Sequence, residues 1–89
     1  MSGAGDMRPR VLVTGASGYI GSRLIPSLLE QGATVRAVGR DERRLRSLPW
    51  GERVEVAEAD LSDRMAVRRA LAQVDVVVFL VHEIGRAHV

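Results

Sequence analysis

The sequence contains no cysteine. A disulfide framework, a thiolate nucleophile and a Cys-ligated zinc or iron–sulfur site are therefore excluded. It contains no lysine either: all 13 basic residues are arginine. That bars a lysine general base or Schiff base among these residues. Aromatic residues reach only 3%, few for the stacking platforms of nucleic-acid binders. The two histidines do not make a metal site by themselves, and none is predicted. No run approaches the roughly 18 apolar residues of a membrane span. The first ten residues lack the apolar centre of a signal peptide. Together these absences predict a soluble cytoplasmic protein with no membrane segment and no nucleic-acid partner.

What is present fits a packed domain. The 89 residues are 46% hydrophobic and 27% charged, close to globular averages, and suffice for one domain or part of one. The formal net charge is only +2. Arginines and acids interleave in "RDERRLR" and "DLSDRMAVRRA", which predicts solvated helix faces and not a one-sided basic footprint.

Strand and helix patterns alternate along the chain. Residues 1–9, small and Gly-rich, read as a disordered leader. "RVLVT" (10–14) is a β-branched run that suits a strand buried on both faces. Ile20, Leu24 and Leu28, with Ile25 and Leu29, fall at i, i+4 spacing and predict a helix over 19–31, stopped by Gly32. Pro26 lies inside it and should kink it. "ATVRAVG" (33–39) is a second strand, and Asp41 can cap a short helix over 42–48. "RVEVAEA" (53–59) is a third strand. Ser62 or Asp63 caps a helix reaching about Ala72. "DVVVFLV" (75–81), the most hydrophobic run, is predicted as a central strand. The order β-α-β-α-β-α-β predicts an α/β fold with a doubly wound parallel sheet.

The chemistry concentrates in "VTGASGYIG" (13–21). Gly15, Gly18 and Gly21 stand three apart between a strand and a helix. Gly15 allows a sharp turn off the strand. Gly18 lets a diphosphate approach the backbone. Gly21 lets the helix pack closely on the first strand. Free N–H groups and the positive dipole end of the helix then face an anion. The position at the first strand-to-helix junction of a βαβ unit is the context that makes this spacing informative. No Gly-Lys-Ser/Thr follows, so a Walker A loop is excluded.

"TGASGYIG" resembles the TGxxGxxG fingerprint of the short-chain dehydrogenase/reductase superfamily. It is most similar to the extended and atypical branches, the epimerase/dehydratase-like and NAD(P)H-binding proteins. The resemblance runs from Arg10 to about His82 and implies the N-terminal part of a Rossmann-type domain, truncated to about four strands in the order 3-2-1-4 and three helices. It implies cofactor contacts from Thr14, Gly15, Ser17, Gly18, Tyr19, Ile20 and Gly21, with the Thr14 hydroxyl bracing the loop. Asp60 and Leu61 match the family's adenine-contacting pair. Leu80, Val81 and His82 end the fourth strand, where the family's chain passes the nicotinamide-side ribose.

The end of the second strand bears on NAD against NADP. An acidic side chain there would bond the ribose 2′-hydroxyl. Roughly 20–25 residues past the first glycine, the chain reads Gly39-Arg40-Asp41-Glu42-Arg43-Arg44. Arg40 comes first, and a guanidinium can hold a 2′-phosphate bidentately. The expectation is NADP, with NAD possible through Asp41. No catalytic residue is assigned. The superfamily uses a tyrosine with a lysine four residues on, and here Tyr19 is the single tyrosine. Either the chain stops before the active site of a longer oxidoreductase, epimerase or dehydratase with a small-molecule substrate, or the protein is a non-catalytic NAD(P)H-binding regulator or accessory subunit. The tail "EIGRAHV" (83–89) resembles an in-frame translation of a short-read sequencing adapter with its stop, GAG ATC GGA AGA GCA CAC GTC TGA. It is expected to be non-native.

Overall fold

A computed structural model describes residues 8–80. The elements run β1 (Arg10–Thr14), α1 (Tyr19–Glu30), β2 (Thr34–Gly39), α2 (Glu42–Arg46), a 3-10 turn (Gly51–Arg53), β3 (Glu55–Glu58), α3 (Arg64–Ala70) and β4 (Val76–Phe79). All pairings are parallel, in the order β3-β2-β1-β4. This is the predicted fold class and strand order.

Parallel neighbours need a crossover between them, and the helices supply it. The helices cover both faces, so the inner strands carry apolar residues on both sides. On one face Val11, Val13, Val35 and Ala37 pack with Ile25 of α1, Leu45 of α2 and Trp50. On the other, Leu12, Val38 and Ala59 pack with Ala70 of α3. Ile25 is fully buried, and its truncation to alanine would cost about 2–5 kcal/mol.

Local signals set the element ends. α1 runs through Pro26 and stops where Gly32 takes φ +91°, with the Ala33 amide donating to the Leu28 carbonyl at 3.1 Å. Asp41 caps α2, its Oδ1 accepting the Arg44 amide at 3.2 Å. Of the two candidates for α3, Asp63 is the cap and accepts the Met65 and Ala66 amides. Ser62 is bonded to Asp60 instead.

Composition alone suggested a central strand for β4, but the expected order 3-2-1-4, truncated to four strands, puts it at the edge of the described sheet, and Val76, Val77 and Phe79 are 47%, 48% and 62% exposed. Composition marks a strand as apolar, but its place follows from which neighbours pair with it. Among the described residues only β1 pairs with β4.

A charged cluster crosses the sheet. Arg36 of β2 donates to the Glu55 carboxylate at 3.0 Å and to the carbonyls of Ala70 and Ala72 at 2.6 and 2.9 Å. Arg10 reaches the other Glu55 oxygen at 3.2 Å. Burial alone would raise the Glu55 pKa. The hydrogen bonds and charges of the two arginines outweigh burial and hold it below the ordinary 4.5.

Candidate functional site

The carboxyl ends of all four strands open into one cleft of about 540 Å³. In open α/β sheets that rim is where ligands bind. The glycine loop forms one wall. Gly15 has φ +65°, a backbone region L side chains rarely adopt, and a Cβ there would stand 2.5 Å from the Leu80 carbonyl oxygen. A Cβ on Gly21 would stand 2.7 Å from Ala16 Cα. Both glycines are therefore steric necessities, one for the turn and one for seating α1 against the loop. Gly18 is the N-cap of α1. No side chain caps the helix, and its first turn holds no acidic residue. The first-turn amides thus lack intrahelical partners, and the positive dipole end stays uncompensated. Such an arrangement suits a phosphate.

Arg40 stands exposed on the cleft wall at the end of β2. Asp41, next in sequence, does not line the cleft, because its carboxylate is turned into α2. Asp60 and Leu61 line the opposite side after β3. The Ser62 amide and hydroxyl donate to Asp60 Oδ1 at 2.9 and 2.8 Å. These two bonds hold the Asp60 carboxyl below its ordinary 3.8, and the positive charge of Arg40 adds to the effect. Among the described residues Asp60 Oδ2 makes no hydrogen bond, which leaves it as an acceptor.

The cleft brings together Gly15, Ser17, Gly18, Arg40, Asp60, Leu61 and Leu80 of the expected residues. Thr14, Tyr19, Ile20 and Gly21 are not on its wall. Thr14 is 4% exposed, and its hydroxyl accepts the Leu80 amide at 3.0 Å. It therefore braces the end of β4 against β1. Tyr19 and Ile20 present exposed side chains, and the Arg23 guanidinium lies 5.4 Å from the Tyr19 ring centroid. Val81, His82 and the tail 83–89 lie outside the described residues. Sequence reading missed Ala16, Val38, Gly39, Ala59 and Phe79 on the wall. Ala16, Gly39, Ala59 and Phe79 each sit directly beside a residue that was singled out and Val38 lies two before Arg40, so the signal was position at a strand's carboxyl end, not residue type.

The cleft fits what a dinucleotide presents: an uncapped helix start for a diphosphate, an acceptor and an apolar side chain after β3, and a cation after β2. The profile of the NAD(P)H-binding family matches residues 15–88. The chain belongs to the NAD(P)H-binding family. The likeness of "TGASGYIG" to the short-chain dehydrogenase/reductase superfamily holds in relatives of this NAD(P)H-binding chain. It is 44% identical over 69 residues to dihydroflavonol 4-reductase of Hordeum vulgare, covering 70% of this chain and 20% of that protein. Vestitone reductase from alfalfa superposes with a TM-score of 0.64 at 34% identity, over 81% of this chain and 24% of that one. A short-chain dehydrogenase/reductase superfamily protein from Agrobacterium tumefaciens, solved with bound NAD, superposes with a TM-score of 0.67 at 29% identity, over 88% of this chain and 22% of that one. The NAD(P)H-binding chain thus spans about a fifth of the length of the curated relatives it matches. Among its described residues no helix is long and apolar enough to cross a membrane.

Proposed function

We propose that this is the cofactor-binding part of a larger NADP-dependent oxidoreductase of the reductase type. The relatives' names support the reaction class, since dihydroflavonol 4-reductase and cinnamoyl-CoA reductase are both among them. One observation carries the choice of NADP. Arg40 lines the cleft and makes no ion pair among the described residues, while the carboxylates that flank it in sequence and the one at the end of β3 are engaged elsewhere. Asp41 caps α2, Glu42 pairs with Arg46 at 2.7 Å, and Glu58 accepts the Glu42 amide at 3.2 Å.

The roles follow from placement. The amides at the start of α1 bind the diphosphate, with Gly18 and Ser17 beside it and Gly15 and Gly21 keeping the loop tight. Tyr19 and Ile20 contribute backbone, not side chain. Asp60 Oδ2 accepts from the adenine amino group, and Leu61 packs on the ring. Arg40 holds the ribose 2′-phosphate, a charge-assisted contact NADH cannot make. Leu80, followed by Val81 and His82, borders the nicotinamide-side ribose. When bound, the cofactor carries hydride to or from a carbonyl carbon of a small-molecule substrate.

Titration of the full-length protein with NADPH and NADH tests this. Arg40→Ala is expected to weaken NADPH by roughly tenfold or more and leave NADH unchanged. Gly18→Asp, which puts a carboxylate where the diphosphate lies, is expected to remove binding of both. Unchanged affinity in both variants removes the cofactor assignment.

A further inference from the structure

We infer that Glu58 is a positioning residue for cofactor choice, fixing the two-residue link that carries Arg40. This rests on the reading of Arg40 as the 2′-phosphate ligand. The link between β2 and α2 is only Arg40 and Asp41. The last residue of β3 and the one after it grip the link on both sides. Before the link, the Gly39 carbonyl accepts the Ala59 amide at 2.8 Å. After it, the Glu42 amide donates to Glu58 Oε1 at 3.2 Å. Glu58 stands opposite Gly39 in the β2–β3 register, so its side chain spans the link from the neighbouring strand. Inside the link, Asp41 Oδ1 takes the Arg44 amide. The residues on either side of Arg40 are thus tied down, and its guanidinium makes no ion pair among the described residues.

Holding a segment in its binding geometry raises affinity by lowering the ordering cost of binding. The benefit goes only to a ligand that touches Arg40. NADPH does so through its 2′-phosphate, and NADH has no such group. Glu58 does not line the cleft, so it acts through the link and not by contact. Two properties of its side chain separate cleanly: an acceptor oxygen, which glutamine keeps, and a negative charge, which glutamine loses.

The test is fluorescence titration of the full-length protein with NADPH and with NADH, for wild type, Glu58→Ala and Glu58→Gln. Glu58→Ala is expected to lower the NADPH-over-NADH preference by about three- to tenfold, the size of a lost helix-cap bond. Glu58→Gln is expected to keep the wild-type preference. The inference is overturned if alanine leaves the ratio unchanged or weakens both cofactors equally. It is also overturned if both variants tighten NADPH, as loss of a repelling charge alone would do. A wild-type ratio near one instead overturns the NADP reading, and removes the inference with it. That failure shows in the wild type, before any variant is compared.

Discussion

A buried hydroxyl sets how β4 ends. Thr14 sits at the last pair of β1, and its oxygen takes the Leu80 amide just beyond the last pair of β4. Thr14→Val keeps shape and leaves that amide without a partner. The expected loss is about 1–3 kcal/mol, read as a lower urea midpoint, with Thr14→Ser close to wild type. Equal midpoints for valine and serine would show the bond contributes nothing. The glycine triplet was legible in the sequence because what it requires is the absence of a side chain, and spacing displays absences directly. The Thr14 partner was not legible. Leu80 is 66 residues away, and only the pairing of β1 with β4 brings it near.

Elements were legible where their determinants are local. The Asp41 cap of α2 and the Gly32 stop of α1 depend on neighbours within four residues, and both are found. Ser62 and Asp63 were equivalent as caps of α3 on propensity alone. The choice fell to Asp63 because Asp60 claims the Ser62 amide and hydroxyl. The link between β2 and β3 was not legible, since the Arg36–Glu55–Arg10 cluster joins residues from three strands. It makes a pH prediction. The folded-state pKa of Glu55 is depressed, so its contribution is present in full above pH 4.5. It fades as pH falls through the lower folded value. Glu55→Gln should be less stable than wild type at pH 6, and that deficit should shrink as pH falls progressively below 4.5. Urea midpoints across that pH range measure it. A deficit that stays constant would assign the effect to packing.

At the scale of the whole molecule, the two borders of the described sheet differ. Along β3, Glu55 and Glu58 carry charge. Along β4, the four residues Val76–Phe79 carry none. An uncharged, exposed strand edge recruits other strands. The 89-residue chain alone is therefore expected to self-associate, and Val77→Lys to shift it toward monomer by sedimentation velocity. A wild-type chain that stays monomeric at high concentration would contradict this. The strand order was legible because alternating elements admit few parallel arrangements. The β4 border follows from that order in a sheet of four strands, although hydrophobicity by itself reads the same at an edge and in the middle.

The guanidinium of Arg36 has a further consequence. It holds a carboxylate of β3, the last carbonyl of α3 and the Ala72 carbonyl just beyond it at once, so opening of either element takes partners from the same side chain. In hydrogen-exchange terms, the amides of β3 and the final turn of α3 should open together, as one event with one rate. The Asp60–Ser62 turn between them would then be as long-lived as the elements on either side, although it lies in a loop.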